Sequence, residues 1–186
     1  MTLNEEKELI ERAKKDPDAF GVLYDLNYSK IFNYILKRVA NIEIAQDITS
    51  ETFLKALKNL WKFRWKNVSF SAWLYRIASH EIANFFRSKK VTVSLEFSAE
   101  PVSNDNPLVD ILEAQEELKK QTDFLIVHKK ILQLPVKYQE VVTLRFFEKK
   151  QIKEIAEILG KREGTIKSLL HRGLEKLKVL MPPTGQ

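Results

Sequence analysis

QIKEIAEILGKREGTIKSLLHRGLEKLK, residues 151–178, is the stretch whose reading decides the fold. A helix-turn-helix needs a small residue where its helices cross, a turn residue that tolerates positive φ, and an apolar residue early in the second helix to lock the angle. Ala156, Gly160 and Ile166 stand at those three places, flanked by Ile155, Leu159 and Leu169 at packing positions. With Glu163 to Lys178 as the second helix, its buried face is Ile166, Leu169, Leu170, Leu174 and Leu177. The opposite face near its start holds Arg162, Thr165, Lys167, Ser168, His171 and Arg172. These donors have the reach for base edges and phosphates in a DNA major groove, and the helix N-terminus adds a dipole that favours phosphate. A generic basic amphipathic helix would carry such a face too; the turn chemistry and core spacing favour the DNA reading.

Upstream, Val141, Val142, Leu144 and Phe146 form a further short helical stripe after the punctuation Leu134-Pro135. Leu108 to Leu134 reads as an acidic helix that turns basic near Lys129. Residues 91–107, VTVSLEFSAEPVSNDNP, hold two Pro and no helical repeat, which is linker composition. Before them, Trp73, Leu74, Ile77, Ala78, Ile82, Phe85 and Phe86 repeat at three and four, as do Ile44, Ile48, Phe53, Leu54 and Leu57. Asp47, Glu51 and Lys55 share the exposed face of that earlier helix. Two more helices lie at the start of the chain, separated by Asp16-Pro17-Asp18 with Pro in a first-turn position. No alternating strand pattern occurs, so the expected fold is all-α: two small helical domains joined by a flexible linker, the C-terminal one a helix-turn-helix.

The net charge of +6 conceals four blocks. Residues 1–28, 29–90, 91–128 and 129–178 carry −3, +8, −6 and +7, two basic units around an acidic segment, as expected of two contacts with a polyanion and a joint kept off it. The basic middle block is also aromatic: nine of the chain's nineteen rings fall between Phe53 and Phe86. Rings interleaved with Lys and Arg suit unpaired nucleic acid, where bases stack and cations follow the backbone. Most of these rings sit on helical stripes and belong to the core. Phe63, Trp65 and Phe70, in a loop from about Lys62 to Ser69, are the stacking candidates, although two of the three can still be packing residues.

The chain has no cysteine, which excludes disulfides, thiolate metal sites and a Cys nucleophile. His80, His128 and His171 are far apart in sequence, and no glycine-rich phosphate loop or acidic cluster at metal spacing occurs, so no metal, cofactor or catalytic residue is expected. The acidic N-terminus has no signal core, and no run of about 18 apolar residues appears. The expectation is a cytoplasmic, reducing compartment, with no membrane insertion and no small-molecule substrate.

AQDITSETFLKAL (45–57), SAWLYRIASHEIANFFR (71–87), LPVKYQEVVTLRFFE (134–148) and EIAEILGKREGTIKSLLHRGLEKLK (154–178), in this order, resemble bacterial sigma-70-type transcription initiation factors of the small extracytoplasmic-function group. The resemblance covers about residues 16–90 and 128–180. It implies a subunit that joins core RNA polymerase, directs it to promoter DNA and opens it. The domains implied are residues 1–90 (sigma region 2), an acidic linker over 91–127, and residues 128–186 (sigma region 4). Gln46, Asp47 and Glu51 would grip the polymerase clamp helices. Phe63, Arg64, Trp65, Phe70, Arg76, His80 and Asn84 would melt the proximal element and capture a flipped base. The exposed donors of the second helix-turn-helix helix would read the distal element as duplex. His80 stands where relatives often carry Asn, which bears on the preferred sequence. The family also implies an anti-sigma partner. An independent helix-turn-helix regulator would account for residues 130–178 but leave the middle block idle, and an enzyme acting on nucleic acid finds no residues to work with.

Overall fold

The first four helices start where the sequence supplies caps in the computed structural model, which describes residues 2–64, 69–92 and 126–181. Helix α1 (Leu3–Ala13) opens with a capping box: the Thr2 side chain accepts from the Glu5 N–H, and the Glu5 carboxylate accepts from the Thr2 N–H at 2.7 Å. Asp16 caps α2 (Pro17–Val39), with Pro17 in the first turn as expected. Asn41 caps α3 (Ile42–Asn59) by accepting from the Ile44 N–H at 2.9 Å, and a single 3-10 turn follows over Leu60–Lys62. Ser69 caps α4 (Phe70–Thr92), whose first N–H also donates to Glu6 of α1. The basic helix thus runs two residues past the expected domain edge at 90.

The second group begins with α5, helical over residues 126–132, followed by α6 (Val136–Val142), a π-helical turn (Thr143–Phe147), α7 (Ile152–Leu159) and α8 (Glu163–Leu180). Gln139 joins α6 to the end of α5, donating from Nε2 to the Leu132 and Leu134 carbonyls at 2.9 and 2.8 Å. Those are carbonyls that a helix end otherwise leaves without partners. Among the described residues there is no strand, as expected. Most of the expected linker and of the acidic helix over 108–134 lies outside the described residues, as does Trp65.

In the first domain α1 packs on α2, α2 on α3, and α4 closes the bundle against both α2 and α3. In the second, α6 and α7 both pack on α8. The stripes read from the sequence fill these cores through Ile10, Leu23, Ile35, Phe53, Leu74 and Ile82 in one, and Val141, Leu144, Ile155, Ile166 and Leu170 in the other. In α3 and the π-helical turn, three expected core residues face solvent instead. Leu54 and Leu57 lie on the exposed side of α3, because Ile48, Thr49, Thr52, Phe53 and Ala56 already complete its buried face. Phe146 is exposed because the π turn widens the helix after Val142 and resets the phase, keeping Leu144 inside.

One polar group is set deep in the first domain. Arg38, only 1% exposed, donates to the Tyr34 hydroxyl at 3.2 Å, which meets the Ser79 hydroxyl at 2.8 Å. Burial pushes the Tyr34 phenol up to about 12, against the pull of Arg38, so it stays a neutral donor and acceptor at any physiological pH. In the second domain Glu140 is half-buried; burial holds its carboxyl above its ordinary range, against the pull of the Arg38 charge.

Candidate nucleic-acid interface and docking face

The helix-turn-helix is built as its sequence requires. Gln151 donates its N–H to the Glu154 carboxylate at 2.7 Å and starts α7, whose end is marked by Gly160 at φ +62°. There the Lys161 N–H returns to the Ala156 carbonyl at 3.0 Å, so the glycine turns the chain sharply into α8. Ala156 is buried at the crossing and Ile166 is fully buried. The inner face of α8 is Ile166, Leu170, Gly173 and Leu177. Leu174, expected inside, is 41% exposed, because Gly173 takes the place against α6. A Cβ at Gly173 would lie 3.2 Å from the Val142 side chain. That close approach is a feature the sequence did not disclose, since nothing local to Gly173 distinguishes it.

Arg162, Thr165, Lys167, Ser168, His171 and Arg172 are all exposed along the start and middle of α8. The His171 imidazole lies 3.4 Å from the Glu175 carboxylate on the next turn. The face is a row of long and short donors beside a helix N-terminus, fit to enter a groove and bond base edges and phosphates.

A second face lies on α4. Arg76, His80 and Asn84 follow each other at four-residue steps and are exposed, with Arg64 exposed before the helix. A cavity of about 290 Å³ opens beside them, lined by Lys62, Phe63, Arg64, Ala72, Trp73, Arg76 and Glu157. Its size and its mix of rings and cations suit one unstacked base with its phosphate. The stacking expectation is corrected here. Phe70 is fully buried and Phe63 nearly so, with ring centres 6.0 Å apart and Trp73 4.9 and 5.6 Å from them. The chain between them has no helical period, but its ends fold inward to seal the α4 N-terminus. Phe63 contributes an edge to the cavity; Phe70 contributes none, and the half-buried Trp73, read from the sequence as core, is the better stacking surface.

The third face is on α3, where Gln46, Asp47 and Glu51 are exposed opposite the buried Ala45 and Ile48. Glu51 pairs with Lys55 at 3.1 Å, and Lys55 also holds Glu81 of α4 at 2.6 Å. Beside these acids stand the exposed Leu54, Leu57 and Trp61, the last 69% exposed. Apolar side chains left out of the core and rimmed by carboxylates have the composition of a protein-docking surface.

The two domains meet through α4 and α7. Arg76 donates to the carbonyls of Ile158, at 3.1 Å, and Glu157, which are among the last carbonyls of α7. Glu148 accepts from Lys37 at 2.9 Å and from the Tyr75 hydroxyl at 2.7 Å. Burial and this carboxylate raise the Tyr75 phenol far above its ordinary range, which keeps it a donor. His128 bonds the Lys37 carbonyl at 2.7 Å. None of these contacts was expected from the sequence. Among the described residues no group of three His, Asp or Glu could hold a metal ion, and no helix is long and apolar enough to cross a membrane.

Comparison with known proteins gives the same order of parts. The family model for sigma-70 region 2 matches residues 23–92, and that for sigma-70 region 4 matches residues 124–177. The chain is 36% identical over 183 residues to the ECF RNA polymerase sigma factor BldN of Streptomyces coelicolor, an alignment covering 94% of this chain and 65% of that protein. It is 32% identical over 187 residues to the ECF RNA polymerase sigma factor SigW of Bacillus subtilis, covering 92% of this chain and 94% of the relative. Among solved structures, the sigma factor RpoE of Bartonella quintana, in complex with the anti-sigma factor NepR, is similar in fold at a TM-score of 0.65 and 20% identity, covering 89% of this chain and 98% of that one.

Proposed function

The chain belongs to the sigma-70 family of RNA polymerase sigma factors, in its extracytoplasmic-function group, and from this we propose how its three faces divide the work of starting transcription. It joins core RNA polymerase, recognises promoter DNA through its helix-turn-helix, and opens the proximal element with its first domain. The observation that carries the reading is that one chain presents two DNA-competent faces, on α4 and α8, and a separate acidic and apolar face on α3.

The α3 face, through Gln46, Asp47 and Glu51 with Leu54, Leu57 and Trp61, docks on the polymerase. Arg162, Thr165, Lys167, Ser168, His171 and Arg172 contact the distal element as duplex. Arg64, Arg76, His80, Asn84 and the Phe63 and Trp73 ring edges receive the unpaired proximal strand. Residues 1–90 and 128–186 are the working domains, with the acidic 91–127 between them. The factor needs no cofactor and carries out no reaction of its own: its output is a positioned polymerase in the cytoplasm. An anti-sigma factor, as accompanies the Bartonella relative, is a fitting regulator.

The reading is tested by selecting promoters from a DNA library with core polymerase and this chain. Sequencing should return a two-part site. On that site Arg172→Ala should weaken binding of the distal duplex by about 1–3 kcal/mol and relax the sequence requirement at one position. A loss equal on all sequences would move Arg172 to a phosphate contact, and recovery of no two-part site would contradict the function.

A further inference from the structure

The first turn of α4 carries two residues that line the proximal-strand cavity, Ala72 and Trp73, and Arg76 follows one turn on. The first N–H groups of a helix have no partner within it, so the groups that meet them decide where the helix begins. Ser69 meets part of this demand: its hydroxyl accepts from the Ala72 N–H at 3.2 Å, and its carbonyl accepts from the Trp73 N–H at 3.2 Å. The Phe70 N–H is met from elsewhere. Oε1 of Glu6, in α1 and 64 residues earlier, accepts from it at 3.2 Å.

The contact takes Glu6 partly out of water. Its carboxyl is half-buried, and burial raises it above its ordinary range, against the pull of the Phe70 N–H and of the Lys30 charge on α2. Its neighbours Glu5 and Lys7 are exposed, as charged residues on a surface helix normally are. A carboxylate turned onto the positive end of another helix is favourable there, and the bond is directional, since the acceptor oxygen must lie about 3 Å from one amide. Glu6 is not among the residues that line the cavity, so it can act there only through Phe70. The Phe70 ring is fully buried, with its centre 6.0 Å from that of Phe63 and 5.6 Å from that of Trp73, both of which line the cavity. A shift of the Phe70 backbone therefore moves both rings, together with the helix that carries Arg76, His80 and Asn84.

We infer that Glu6 is a positioning residue for the unpaired proximal strand: by holding the Phe70 N–H it fixes the first turn of α4, and with it Trp73 and Arg76, in the setting that the strand meets. This rests on the proposed role of the α4 face. It gives α1, which supplies no residue to any of the three faces, a part in opening the promoter.

The experiment uses the full chain bound to core polymerase, and its probe is a fluorescein-labelled single-stranded oligodeoxynucleotide carrying the selected proximal element, read against a scrambled strand. Glu6→Ala should weaken binding of the selected strand about fivefold, part of what one hydrogen bond to a charged group is worth, and leave affinity for distal duplex and for the polymerase unchanged. Glu6→Gln keeps an acceptor oxygen and should return the strand affinity to within about twofold of the parent. Ile10→Val removes a buried methyl group from α1 but leaves the carboxylate in place, so the strand should bind as it does to the parent. Glu6→Ala binding the strand like the parent would overturn the positioning role. So would Ile10→Val weakening it as much as Glu6→Ala does, since Glu6 would then be one of many contacts that stabilise the fold. A Glu6→Gln as weak as Glu6→Ala would overturn the hydrogen bond as the means. Arg76→Ala separates these failures from a failure of the face: if it too binds like the parent, the strand does not lie on α4 and the proposal falls with that reading. A loss in Arg76→Ala with none in Glu6→Ala leaves the face standing and ends the role of Glu6.

Discussion

Reversing both charges on the α3 face, Asp47→Lys with Glu51→Lys, is expected to lower affinity for core RNA polymerase about 100-fold, near 3 kcal/mol, since like charges set across an interface cost several kcal/mol. Both carboxylates are exposed and neither closes a helix end, so the unfolding free energy should stay within about 0.5 kcal/mol of the parent. Glu51 does pair with Lys55, but Lys55 keeps its closer partner Glu81. Titrating labelled chain with core polymerase at physiological salt measures the loss. A double variant that binds like the parent would remove this face from the polymerase contact and leave Leu54, Leu57 and Trp61 needing another partner.

The second large effect is one of stability. Phe70→Ala should lower the unfolding free energy by about 3–5 kcal/mol, the range for truncating a fully buried aromatic ring. Phe70 has no exposed surface, packs edge to face on Phe63 and tilts against Trp73 at the start of α4. Phe70→Leu keeps most of the volume and should cost less than about 1.5 kcal/mol. Denaturant unfolding of the two variants separates this from a stacking role. If Phe70→Ala were as stable as the parent and lost only single-strand binding, the ring would be a base platform after all.

How much could be read beforehand follows from how local each constraint is. The turn of the helix-turn-helix is legible, because Ala156, Gly160 and Ile166 lie within eleven residues and their demands on size and φ are met by the backbone around them, whereas Gly173 taking the inner place expected for Leu174 is not. The helix restart at Asp16-Pro17-Asp18 and the glycine at the α7 end are legible for the same reason. The apolar spacing gave the all-helical class but not which side of α3 stays wet: Leu54 and Leu57 have the spacing of core residues, and only the completed bundle leaves them outside. A π turn cannot be seen in a 3.6-residue period, so Phe146 was placed on the wrong side. Phe63 and Phe70 look exposed because a stretch without period separates them, whereas tertiary packing buries both.

Least legible of all was the junction between domains. Arg76 reaches its carbonyl partners across more than eighty residues, and Lys37 reaches Glu148 across 111. Block charges even pointed away from it, since a basic segment beside another basic segment suggests repulsion. Among the six acids inside the second basic block, Glu148 is the one that pairs with a lysine of the first domain, Lys37. Net charge describes a field at a distance, and individual side chains decide a contact.

The most direct test of the central claim is run-off transcription with purified core polymerase, this chain as the sole initiation factor, and a linear template carrying the selected two-part promoter. The account predicts a transcript of defined length that requires the chain, disappears with Asp47→Lys/Glu51→Lys, and moves with the promoter when it is shifted along the template. A polymerase that produces the same transcript without the chain, or none with it, would contradict the assignment.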